Sequence, residues 1–213
     1  MTPRVGRFPG RGGMIGRGTL WGMRALPDLT RPAPEVAPLL LGCLLVHGPV
    51  GLRLVEVEAY AGAADPASHS FRGPSARNAV MFGPPGRLYV YRIHQSVCAN
   101  VVCGPEGVAT AVLLRAGEVV AGADEARTRR QAHRTGPLPD RELARGPGNL
   151  CRALGLVFGD DGIVADLRPG PATEVVAGPR VNVARAADRP WRFWVPGSPA
   201  VSAYQRHPRA SGW

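Results

Sequence analysis

The chain contains no lysine; all 26 residues counted as Lys or Arg are arginine. Schiff-base chemistry through a lysine is therefore excluded, as is a phosphate-binding P-loop, which needs its lysine. Cysteine is scarce: Cys43, Cys98, Cys103 and Cys151 are the only four. No CxxC pair occurs, and the step from Cys98 to Cys103 puts the two side chains on opposite faces of a strand. Neither a zinc site nor a disulfide framework is expected. The longest apolar run, Leu39–Val46, falls well short of the roughly 20 residues that a helical membrane span needs. No secretory h-region is visible. The expectation is a soluble, cytoplasmic protein without a membrane partner.

What is present is positive charge, +10 over 213 residues. Arginine forms bidentate contacts with phosphate, so a polyanionic partner is favoured. The length suits one domain with a sizeable core. Residues 1–23 carry seven glycines, four arginines and no acid. They are expected to be a disordered tail ahead of a domain spanning 24–213, with Met14 and Met23 as alternative starts.

Periodicity places a short helix over Pro34–Leu41, with proline in its first turn. Two strands, Leu44–His47 and Leu52–Tyr60, flank Gly48-Pro49. Ala61–Pro85 is too rich in glycine, proline and small residues for a long element, and loops of that length commonly carry function. Leu88–Tyr91 and Cys98–Val102 read as strands joined through a hairpin tip at Arg92–Val97, and Ala109–Arg115 as a third strand. Asp124–Arg134 is a helix with acids early and arginines late, as the helix dipole prefers. Pro147 starts another helix after Gly146, and Gly155 ends it. Short strands follow near Gly162–Asp166, Glu174–Ala177, Arg180–Val183 and Trp191–Val195. The predicted fold is α+β: a single domain with a curved, mostly antiparallel sheet, surrounding helices and a protruding β-hairpin.

Val55-Glu56-Val57-Glu58-Ala59-Tyr60 alternates apolar and acidic residues. On a strand, Glu56 and Glu58 share a face roughly 7 Å apart. Their repulsion would raise one pKa and leave the other group ionised, a split that suits acid–base chemistry at a glycosidic bond. The plain alternative is an exposed edge strand with two solvated acids.

Nine stretches, in order, resemble the alkyladenine (3-methyladenine) DNA glycosylases. They are Val55–Tyr60; Ala67–Ser70; Pro74–Asn78 with Met81-Phe82; Gly86–Tyr91; Cys98–Asn100; Val112–Ala116; Arg145–Leu154; Arg180–Val183; and Arg192–Val195 through Gly197–Pro199. The resemblance implies a monomeric, monofunctional, nucleoid-associated enzyme, without a metal, an organic cofactor or an obligate protein partner, that flips a damaged purine out of double-stranded DNA. Excision of 3-methyladenine, 7-methylguanine, hypoxanthine or ethenoadenine by water attack at the sugar would then initiate base excision repair. It implies that Glu58 activates the water, which Arg115 and the backbone carbonyl of Val181 also hold. It assigns Tyr60 and Tyr91 to the two faces of the flipped base, His69 to its edge, Leu113 to the pocket wall, and Asn100 to exclusion of the guanine 2-amino group. Arg72, Arg77, Asn78, Met81, Gly146 and Asn149 become DNA contacts.

The hairpin tip departs from the pattern. His94 stands where the family inserts a tyrosine into the gap left by the flipped base, and the segment is one residue shorter, which leaves Gln95 as the alternative wedge. Two other classes compete. A nucleic-acid-binding module without catalysis accounts for the arginines but not for Glu58 beside Tyr60. A carbohydrate O-glycosidase accounts for the acid pair but not for the charge or for an aromatic content of 6%. Release of a damaged base separates the first class from the second, and glucoside turnover without DNA identifies the third.

Overall fold

The computed structural model describes residues 24–132 and 134–212, so the tail 1–23 and its alternative starts lie outside the described residues. In chain order the elements begin with α1 (Ala33–Leu40), β1 (Leu44–His47), β2 (Val50–Tyr60), β3 (Leu88–Ile93), β4 (Ser96–Cys103) and β5 (Thr110–Ala121). There follow α2 (Ala123–Gln131), β6 (Ala144–Arg145), α3 (Pro147–Leu154), β7 (Asp166–Arg168), β8 (Val176–Gly178) and β9 (Arg192–Trp194). The strands form one sheet with the central order β3-β4-β5-β2-β1-β7; β6 pairs with β5, β9 with β2, and β8 with β9. Every pairing is antiparallel. The α+β architecture expected from the sequence is therefore the one observed.

The centre of the sheet is the long pair β2 and β5. Their register shifts between Leu54, Glu56 and Val57. An extra residue in one strand bends it and resets which side chains share a face. Leu52, Leu54, Val57 and Ala59 accordingly all point into the main core, while Val55 packs in a separate small cluster with Ala116 and Ala200. The other face of β2 is left to Glu56 and Glu58. At that point β2 has strands on both edges, with Glu56–Glu58 paired to β5 on one side and β9 on the other. The acids thus lie on a central strand rather than on a solvated edge.

Helices α1 and α3 cover the core face. α3 buries Leu150, Cys151, Ala153 and Leu154 on one side, and Gly155 ends it in the left-handed region at φ 75°. Each fully buried leucine or valine contributes about 1.5–3 kcal/mol, so this packing holds the curved sheet and fixes the start of α3 beside it.

Several boundaries differ from the sequence reading. β5 continues past Arg115 to Ala121 because Gly117 admits a close approach: a Cβ there would lie 3.0 Å from the Leu52 Cβ and 3.1 Å from the Arg53 carbonyl. Residues 180–183 form no strand; Asn182 has φ 55°, and the Val181 N–H is turned to a side chain rather than to a neighbouring strand. The strand expected near Gly162–Asp166 lies at Asp166–Arg168, paired with β1. Residues before it run beside β3 through the single bridge Arg87–Val164. The hairpin tip shrinks to His94-Gln95, since Ile93 pairs with Ser96.

Candidate active site

Strand β2 carries Glu58 and Tyr60 on one face, and the Tyr60 hydroxyl donates to Glu58 Oε2 at 2.9 Å. The Val181 N–H donates to Glu58 Oε1 at 2.7 Å. Arg115, on β5, brings Nη1 to 3.3 Å from the same oxygen. The Glu58 side chain is 0% exposed, closed in by these partners at one wall of a cleft of about 1160 Å³. Burial and the adjacent Glu58 charge raise the Tyr60 pKa well above its ordinary value, so the phenol keeps its proton and remains a donor.

Beyond Tyr60 and Tyr91, which line both spaces, lies a smaller cavity of about 350 Å³. His69, Met81, Tyr89 and Asn100 complete most of its wall. Tyr89 and Tyr91 stack with centroids 5.5 Å apart, and His69 stands edge-on to Tyr91 at 4.6 Å. His69 Nδ1 lies 3.0 Å from the Tyr89 hydroxyl. Burial, helped by the charge of Arg77, lowers the His69 pKa and favours the neutral ring. The Asn100 side-chain amide donates to the Tyr89 carbonyl at 3.2 Å, which fixes its orientation at the cavity wall.

The sequence profile of the Methylpurine-DNA glycosylase family matches residues 28–199. A protein from Nocardia farcinica, provisionally named 3-methyladenine DNA glycosylase, is 53% identical over 204 residues, covering 88% of this chain and 94% of that protein. Proteins of the same provisional name from Cutibacterium acnes and Mycobacterium leprae are 50% and 52% identical, over 82% and 80% of this chain and 97% and 84% of theirs. The chain belongs to the methylpurine-DNA glycosylase family. It is a DNA glycosylase, a hydrolase of the N-glycosyl bond.

Within this glycosylase the second acid of the pair, Glu56, is tied down completely. Arg115 Nε and Arg192 Nε each donate to its Oε1 at 2.8 Å, the Ser202 hydroxyl donates to the same atom at 2.8 Å, and the Ser202 N–H donates to Oε2 at 2.7 Å. Burial alone would raise its pKa, but Arg115, the Ser202 N–H and Arg192 outweigh it and bring the value below 4.5. The upward split expected from carboxylate repulsion does not fall on Glu56, because a guanidinium lies between the two acids.

A buried ion pair that sequence reading missed supports the same wall. Arg180 binds Asp65 through Nη1 at 2.5 Å and Nη2 at 2.9 Å, and its guanidinium lies 4.6 Å over the Tyr60 ring. Both side chains are fully buried. Arg180 was legible only as the neighbour of Val181, because no spacing links positions 65 and 180.

The expected DNA contacts divide into three groups. Arg72, Arg77, His94 and Gln95 are exposed. Met81 is buried in the cavity wall rather than on the outer surface. Asn78 is 3% exposed and folds the loop from within. Its Oδ1 accepts from the Ser75 N–H and hydroxyl, and its amide donates to the carbonyls of His69 and Gly73. This turns Asn78 from a surface contact into an organiser of the loop. At the α3 start, Gly146 has φ 92°, Asn149 donates to the Arg145 carbonyl at 2.8 Å, and Arg145 to the Val201 carbonyl at 3.0 Å. Pro147 and Leu113 face the Glu58 cleft. All four cysteines are free and buried. Among the described residues no group of His, Cys, Asp and Glu is gathered for a metal, and no helix is long and apolar enough to cross a membrane.

Proposed function

We propose that the chain turns a damaged purine out of duplex DNA into the aromatic cavity and that Glu58 activates the water which cleaves its N-glycosyl bond. The observation that carries this reading is the position of one buried, triply engaged carboxylate at the mouth of a cavity lined by tyrosines. Breaking the bond builds positive charge on the sugar. A carboxylate beside that carbon stabilises the charge and accepts the proton of the attacking water. Arg115 and the Val181 backbone orient the carboxylate and the water, and the Tyr60 hydroxyl fixes the other carboxylate oxygen.

Tyr60 and Tyr91 hold the faces of the base, at about 1–3 kcal/mol per stacked base, and alkylated, electron-poor purines gain further through the cation–π effect. The substrates proposed are 3-methyladenine, 7-methylguanine, hypoxanthine and ethenoadenine. His69 meets the edge of the base. Asn100, pinned by the Tyr89 carbonyl, narrows the place where a guanine 2-amino group would sit.

Single-turnover cleavage of a lesion panel tests both parts. Glu58→Gln is expected to bind lesion duplex and to lose at least about 100-fold in cleavage; near-wild-type cleavage would remove Glu58 from the mechanism. In the same panel Asn100→Ala is expected to raise excision of guanine-type bases relative to hypoxanthine, and unchanged selectivity would free Asn100 of that role.

A further inference from the structure

The β3–β4 hairpin has two faces, and only one belongs to the site described above. Tyr91, Ile93 and Cys98 face the Glu58 cleft. Arg92 and Val97, paired across the hairpin, face the other way. There they border a separate groove of about 740 Å³, closed on its far side by Arg152 of α3 and by Phe158. Phe158 is 47% exposed. The Arg92 guanidinium lies over that ring at 4.8 Å. Arg152 Nη2 donates to the Gln95 carbonyl at 3.2 Å, which fixes the tip against α3. The two carboxylates that follow Phe158 are directed at backbone: Asp160 accepts the Val157 N–H at 2.7 Å, and Asp161 the Val90 N–H at 2.8 Å. The groove wall itself therefore carries cations and no acid.

We infer that this groove takes the sugar–phosphate backbone of the undamaged, complementary strand. The inference rests on the reading above, in which the damaged base enters the cavity past Glu58; its strand then lies along the cleft side, with the hairpin tip in the duplex as the resemblance implies. A two-stranded ribbon whose tip enters a groove of the duplex has one DNA strand on each of its faces. With the lesion strand on the Tyr91–Ile93 face, its complement meets the Arg92 face. A guanidinium held over an aromatic ring keeps N–H groups available to phosphate oxygens. Phe158 is then the platform that holds Arg92 in place, and Arg152 adds a second cation while it anchors the tip.

The test uses full-length protein and a duplex with one hypoxanthine on a 2′-fluoro sugar, which slows cleavage. Neutral methylphosphonate linkages replace the phosphates of the complementary strand one at a time. Wild type is expected to bind about tenfold more weakly at one or two of these positions. Arg92→Gln should lose about as much on the unmodified duplex, show no further loss at those positions, and keep wild-type affinity for the single-stranded lesion oligonucleotide. Its thermal unfolding should change little, since Arg92 is exposed and its contact with Phe158 lies at the surface. Indifference of wild type to every complementary-strand linkage overturns the inference. So does an undiminished penalty in both Arg92→Gln and Arg152→Gln, or an equal loss by Arg92→Gln on single-stranded DNA. Failure of the underlying glycosylase reading looks different: wild type then releases no base from the natural lesion duplex.

Discussion

Glu56 and Glu58 are two residues apart on one strand face, and their surroundings give them different work. Four donors converge on Glu56, whereas Glu58 meets three and borders the cleft. Removing the charge of Glu56 leaves Arg115 and Arg192 buried without their shared partner, a kind of loss that costs about 3–5 kcal/mol. Glu56→Gln is therefore expected to lower unfolding stability by that amount at pH 7, measured by urea denaturation. The pH dependence has a defined sign. The folded pKa of Glu56 lies below 4.5, so the stabilisation is fully present above that pH and is lost as pH falls through the folded value. The gap between wild type and Glu56→Gln should narrow on acidification below about 4.5, and a gap that stays constant would detach the stability from this carboxylate. The alternation around Val57 showed that the two acids share a face. It did not show which one is sequestered, because that depends on Arg115, Arg192 and Ser202, which only the fold brings to Glu56.

The β3–β4 hairpin shows which features of an element are legible in the chain. Leu88–Tyr91 and Cys98–Val102 read as strands because β-branched and aromatic residues dominate them. Their ends did not, because Ile93-His94-Gln95-Ser96 carries neither glycine nor asparagine to mark a two-residue turn. The turn places His94 in the left-handed region at φ 49°, a strained setting for a residue with a Cβ. That places its imidazole at the tip, where the resemblance expects a tyrosine to fill the vacated base stack. An imidazole covers less area than a phenol, so the flipped state should be less populated than with tyrosine. In a fluorescence titration with ethenoadenine duplex, His94→Tyr is expected to raise flipped-base occupancy. His94→Gly and His94→Ala should lower it, and the glycine variant separates loss of the ring from relief of the backbone. If both truncations flip and cleave as wild type does, the wedge is another residue, with Gln95 next in line.

Across the whole molecule the formal charge of +10 overstates some arginines and understates others. Arg115, Arg180 and Arg192 are buried against Glu56, Glu58 and Asp65 and offer almost nothing to solvent. Arg129–Glu125, Arg134–Glu142, Arg168–Asp166 and Arg206–Asp188 neutralise one another on the surface. Arg72 and Arg77, on the long loop that also supplies His69 and Met81 to the cavity, are exposed. The composition favoured a polyanionic partner, but it could not separate arginines buried in the site from arginines left exposed to a ligand. Salt dependence separates them. Each phosphate contact releases condensed counterions, so log affinity for duplex should fall linearly with log salt, with a slope of about −0.9 per contact. Arg72→Gln should make that slope shallower by about one while leaving cleavage of bound substrate intact, whereas Arg77→Gln, whose charge also reaches His69 and Tyr89 of the cavity, should change the slope and cleavage together. Arg192→Gln, which removes a partner of buried Glu56, should lower the unfolding midpoint and leave the slope unchanged. A salt-independent affinity, or a slope altered by Arg192→Gln and not by the loop arginines, would mean that DNA is held by something other than this exposed cationic loop.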